Sequence, residues 1–162
     1  MPESKYHRAE IASKQLETAV SMFLNGRDRF SVITLAGAAS NILSQLVRNQ
    51  GEEPFIDYSR RVYDALIGFT PPRTKYNKYI NERLGINALK HHSAGDATHI
   101  ELDEEKAAED AITKAIADYI KIKGQEEPFV KAFLSWAWKN RDGKKMMEDY
   151  KNRPTKLKGK KS

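Results

Sequence analysis

Apolar residues recur at helical spacing through most of the chain, and no stretch shows the strict alternation of a half-buried strand. From Ser4 to Asn25 the stripe is Ala12, Leu16, Ala19, Val20 and Phe23, and Gly26 supplies a stop. Asp28 or Ser31 can cap a second helix carrying Val32, Leu35, Ala36, Ala39, Ile42, Leu43 and Leu46, which ends at Gly51. Pro54 suits the first turn of a third helix with Phe55, Tyr58, Val62, Leu66 and Phe69 inward, broken by Gly68 and Thr70-Pro71-Pro72. A fourth helix starts at Thr74 or Asn77 and carries Tyr76, Tyr79, Ile80, Leu84 and Leu89, its course past Gly85 left open. Asp103, Glu104 and Glu105 favour the start of a fifth helix, Glu104 to Lys123, that Gly124 stops. Glu127-Pro128 opens a sixth with Phe129, Val130, Phe133, Leu134, Trp136 and Trp138, whose tryptophans are expected to dock on the body.

These elements predict an all-α fold, an antiparallel bundle of five or six helices spanning residues 1–140. Residues 141–162 lack a sustained apolar stripe and are expected to form a basic, disordered tail. The small-residue run Ala36-Gly37-Ala38-Ala39-Ser40 favours close approach of another helix. A phosphate loop would need a strand before it, and none precedes this run.

Charge reinforces that division. The net charge of +6 is concentrated from Lys139 onward, where ten Lys or Arg face three Asp or Glu; the preceding residues hold eighteen against nineteen. A nearly neutral body gives no charge-based reason to expect a polyanion-binding face there. The tail, with Tyr150 among its cations, suits either solvation or unspecific contact with nucleic-acid phosphates. The 162 residues contain no cysteine, which excludes disulfides, thiolate metal sites and a cysteine nucleophile, and fits a cytoplasmic address. The polar N-terminus lacks a secretory apolar region, no run approaches a membrane-spanning length, and no membrane association is expected.

Chemistry concentrates at Ile86-Asn87-Ala88-Leu89-Lys90-His91. In a helix Asn87 and His91 share a face, with Lys90 and His92 beside them. Histidine moves protons near neutral pH, and Asn87 and Lys90 can hold a phosphate or orient the ring, which are the needs of metal-independent RNA cleavage. The bland alternative has Asn87 and His91 capping or bridging helices through buried hydrogen bonds. His91, His92, Asp96, His99, Glu101 and Asp103 fit no known metal spacing, so no metal is expected, and with no P-loop or dinucleotide fingerprint no cofactor is expected.

The order of Leu35-Ala36-Gly37-Ala38-Ala39, Asn87-Ala88-Leu89-Lys90-His91 and an acidic start to an Ala/Ile-rich helix resembles small bacterial HEPN-like proteins, over roughly residues 8 to 138. That resemblance implies a helical bundle, a homodimer, and RNA as substrate or ligand in a toxin–antitoxin or phage-defence setting. It implies a signature of Arg, a polar residue and a His about four to six positions beyond the Arg. Asn87 matches the polar position and His91 the histidine, while Ile86 stands where the arginine belongs. In a catalytic version His91 is the general acid or base, Asn87 orients it or the phosphate, and Arg83 or Lys90 replaces the arginine. The alternative is a non-catalytic interaction module that binds a cognate protein partner or a nucleotide.

Overall fold

A computed structural model describes residues 2–69 and 71–157. Thr70, expected among the breakers of the third helix, and residues 158–162 of the expected tail lie outside the described residues. The architecture is all-helical, with α1 Arg8–Leu24, α2 Arg29–Asn49, α3 Phe55–Ile67, α4 Arg73–Arg83, α5 Ile86–Lys90, α6 Glu104–Lys123, α7 Pro128–Asn140 and α8 Gly143–Lys151, followed by a 3-10 turn at Thr155–Leu157.

Capping sets most of these limits. α1 begins at Arg8 rather than Ser4, because His7 Nδ1 accepts the Ala9 N–H at 3.0 Å while Glu10 accepts the His7 N–H at 3.2 Å. Asp28 caps α2 through the N–H groups of Phe30 and Ser31, and Asp103 caps α6 through that of Lys106. Pro54 sits just before α3 and brings no N–H of its own; the Phe55 N–H is taken by Asp118 of α6 at 2.8 Å. Asp142 likewise caps α8, so residues 143–151 of the expected tail are helical, and Leu157 beyond them is buried.

α2 is the central element, packed between α1 and α6, with α7 laid on α1 and with α5 against α2. Leu16, Ile33, Leu43, Ile112, Tyr119 and Phe133 are among the largest side chains sealed in this core. By length and hydropathy alone α2 could cross a membrane, contrary to the expectation that no run approaches such a length, and half of its apolar stretch is buried inside the bundle. Trp136 packs edge-on to Phe23, with ring centroids 4.8 Å apart. Trp138 is half exposed and covers the buried Gly143, where an added Cβ would overlap its ring.

The inner face of α3 differs from expectation. It buries Ile56 and Asp57, while Leu66 (78% exposed) and Phe69 point outward. Asp57 is drawn inward by Arg48 of α2 and Arg73 of α4, at 3.5 and 3.1 Å. Two guanidiniums on one buried carboxylate tie three helices together and outweigh the apolar pull of the far end of α3. On α4, Tyr76 is buried as expected, but Tyr79 is exposed.

Candidate functional site

α5 is created by Gly85, whose positive φ of 69° ends α4 and redirects the chain. The turn drives Ile86 inward, where it is 1% exposed. It fills the notch left by the missing side chain of Gly37: a Cβ there would stand 3.0 Å from Cγ1 and Cγ2 of Ile86. The small-residue run of α2 thus receives the side chain of α5, and the position preceding Asn87 belongs to the core. A guanidinium at this point would lose its water without a partner.

Asn87 and Lys90 are exposed on this short helix, and His91 follows in extended conformation, donating its backbone N–H to the Asn87 carbonyl at 3.0 Å. Among the described residues, the side chains of Asn87, Lys90, His91 and Arg83 have no hydrogen-bond or ion-pair partner. Asn87 and His91 therefore neither cap nor bridge helices through buried side-chain hydrogen bonds. Arg83, at the end of α4, lines a separate cleft to which Asn87, Lys90 and His91 do not contribute. Among the described residues no three His, Asp or Glu side chains gather as metal ligands would.

The outer surface of α4 with the end of α3 forms a second feature. Tyr63, Tyr76 and Tyr79 run in sequence across it, with successive ring centroids 6.1 and 6.4 Å apart. With Pro71 and Lys75 they line a hollow of about 220 Å³. Tyr76 is anchored by its hydroxyl, which donates to Ser59 Oγ at 3.1 Å, while Tyr79 is 49% exposed. Lys75 lines the hollow with the rings, and Lys78 and Arg83 lie on the same helix; Lys78 has only Glu82 at 3.8 Å, and Lys75 and Arg83 have no carboxylate partner among the described residues.

A third feature lies between α3, α4 and α6, where Phe55, Ile56, Ile80 and Leu84 wall a cleft of about 180 Å³ that also meets Ser59, Tyr76, Arg83, Asp110, Thr113 and Lys114. Lys114 is 5% exposed, and its Nζ donates to Ser40 Oγ of α2 at 2.7 Å. Burial, with a smaller contribution from Arg48, lowers its ammonium to a pKa of about 8, against the attraction of Asp118. Asp118 is fully buried; burial raises its carboxyl above the ordinary value, opposed by the Phe55 N–H and nearby cations. Its Oδ1 accepts that N–H, and Oδ2 has no partner. No periodicity marks Lys114 or Asp118 for the interior. The one available signal was their spacing of four beside the Ala111 and Ala115 stripe.

No protein-family model, curated protein or solved structure matches this chain.

Proposed function

We propose that this protein is a non-catalytic helical module that binds single-stranded RNA across the tyrosine-lined, lysine-edged surface of α3 and α4. The supporting observation is the pair of exposed rings, Tyr63 and Tyr79, aligned through the buried Tyr76 and flanked by Lys75, with Lys78 and Arg83 further along α4, cations left with weak carboxylate pairing or none. Bases stack on aromatic faces while cations neutralise the intervening phosphates, and both interactions tolerate any sequence. The hollow beside Lys75 and Tyr79 offers one base a partly enclosed seat. Lys90 and His91 extend the polar surface beyond α4.

Cleavage is disfavoured by the burial of Ile86, which removes the arginine position of the HEPN signature from solvent, and by the cleft that Arg83 lines, to which His91 does not contribute. The HEPN-like bundle itself and a homodimer belong to the same proposal. Leu66, Ile67 and Phe69 are the exposed apolar side chains nearest the tyrosines in sequence and would form the covered face, with sedimentation velocity as the measure.

Fluorescence anisotropy with a labelled single-stranded RNA in EDTA tests the binding. Saturable binding that weakens with salt and drops in Tyr79→Ala and Lys75→Glu supports it. Binding that is absent, or unchanged in both variants, overturns it and leaves the protein-partner reading in its place.

A further inference from the structure

Lys114 presents a separate problem that RNA binding does not answer. Its ammonium is almost sealed from water, yet its hydrogen-bonding partner is a single neutral hydroxyl, Ser40 Oγ. An ammonium has three donors, and no carboxylate lies within ion-pair distance among the described residues. Buried cations are ordinarily paired, because the lost hydration must be replaced. A purely structural lysine would be expected to meet Asp118, one helical turn away on α6, which instead spends one oxygen on the start of α3 and leaves the other free. Among the described residues no carboxylate pairs directly with Lys114, and Asp118 attracts it only from beyond ion-pair distance.

The space next to it is shaped for one. The cleft of about 180 Å³ is smaller than the pockets that hold drug-sized molecules and has the volume of about six waters. Its lining from α3 and α4 is mostly apolar, with Ser59 and Tyr76 among it, and Lys114 and Arg83 are the cations that line it. We infer that the cleft between α3, α4 and α6 binds a small carboxylate with an apolar body, the carboxylate meeting Lys114 and Arg83 and the body packing among Phe55, Ile56, Ile80 and Leu84. Two cations against the single Asp110 on the cleft wall favour an anion over a neutral or cationic ligand. Asp110 is itself engaged with Lys106 at 2.5 Å.

Recognition of this kind depends on the protonation of Lys114. The charged groups that act on it are Asp118 on its own helix and Arg48 on α2, and those that line the same cleft are Asp110 on its own helix and Arg83 and Tyr76 on α4; α3 contributes the uncharged Phe55, Ile56 and Ser59. Near neutral pH the lysine is charged, and above a pH of about 8 it loses the charge that holds the ligand.

Titration calorimetry of the full chain with benzoate, using benzamide as the uncharged analogue of the same shape, tests the site. Benzoate is expected to bind at about pH 6.5, at least about tenfold more tightly than benzamide, and to weaken by roughly tenfold at about pH 9.5. Lys114→Met keeps the bulk of the side chain and removes the charge; it is expected to abolish benzoate preference. Arg83→Gln, at an exposed position that the core does not need, is expected to weaken benzoate by a few fold and serves if the Lys114 variant does not fold. Equal affinity for the two probes, benzoate binding unchanged in either folded variant, or no heat from folded parent protein would overturn the assignment.

Discussion

Ile86 seats its side chain against Gly37, so close that a β-carbon on α2 would stand 3.0 Å from two of its carbons and push the side chain back. One contact decides two matters: how α5 docks on the central helix, and why the residue before Asn87 is apolar.

Gly37→Ala puts a methyl group 3.0 Å from two carbons of Ile86, and overpacking of this kind outweighs the better helix propensity of alanine. The substitution is expected to destabilise the parent by on the order of 1 kcal/mol. In an Ile86→Ala background the clash is gone and the same change is expected to stabilise by up to about 1 kcal/mol. Denaturant unfolding of the four chains reads this reversal of sign, and the same cost in both backgrounds would show that Gly37 does not seat Ile86.

Ile86→Arg restores the arginine of the HEPN signature in sequence but forces a guanidinium into the core. Its expected outcome is a loss of roughly 3–5 kcal/mol in stability, without gain of RNA cleavage. A stable variant that cuts RNA would contradict the placement of this residue.

Lys114 gives stability a pH signature. Its folded pKa of about 8 lies below the ordinary 10.5, so between these values the unfolded chain holds more protons and stability rises with pH. Relative to Lys114→Met, the parent is expected to gain on the order of 3 kcal/mol from about pH 8 to about pH 10.5. Below that window Lys114→Met is expected to be the more stable chain, since it leaves no ammonium to bury. Parallel stability curves for the two proteins would mean that Lys114 is solvated.

Asp118→Ala removes the acceptor of the Phe55 N–H and leaves the first turn of α3 uncapped, for an expected loss of about 1–2 kcal/mol. Amide exchange is expected to accelerate first in α3. Uniform acceleration through the whole bundle would contradict a local capping role.

Local chemistry in the sequence carried much of the fold. The Asp103 cap and the Gly124 stop bracket α6 at the expected Glu104 and Lys123, and Asp28 marks the start of α2, because caps and glycine stops act within a few residues. The orientation of α3 was not legible: Leu66 and Phe69 follow an apolar spacing, but Asp57 turns the helix by pairing with Arg48 and Arg73 on other elements. The burial of Lys114 and Asp118 was not legible, since it depends on Ser40 and the start of α3 arriving from elsewhere. The polar character of Asn87, Lys90 and His91 was legible but not their exposure, and Ile86 acquired meaning only when Gly37 was found opposite. Tyr76 and Tyr79 were legible singly as helix-face residues while Tyr63 was not singled out, and only the tertiary structure aligns the three.

RNA binding without cleavage is the activity we propose. Its most direct test is incubation of labelled single-stranded RNA with the parent and with His91→Ala in the presence of EDTA, each sample divided between a native gel and a denaturing gel. The account predicts a retarded band in the native gel for both proteins and intact RNA in the denaturing gel for both. Cleavage products from the parent that disappear with His91→Ala would contradict it, and would make the exposed histidine of α5 catalytic despite the buried Ile86 beside Asn87.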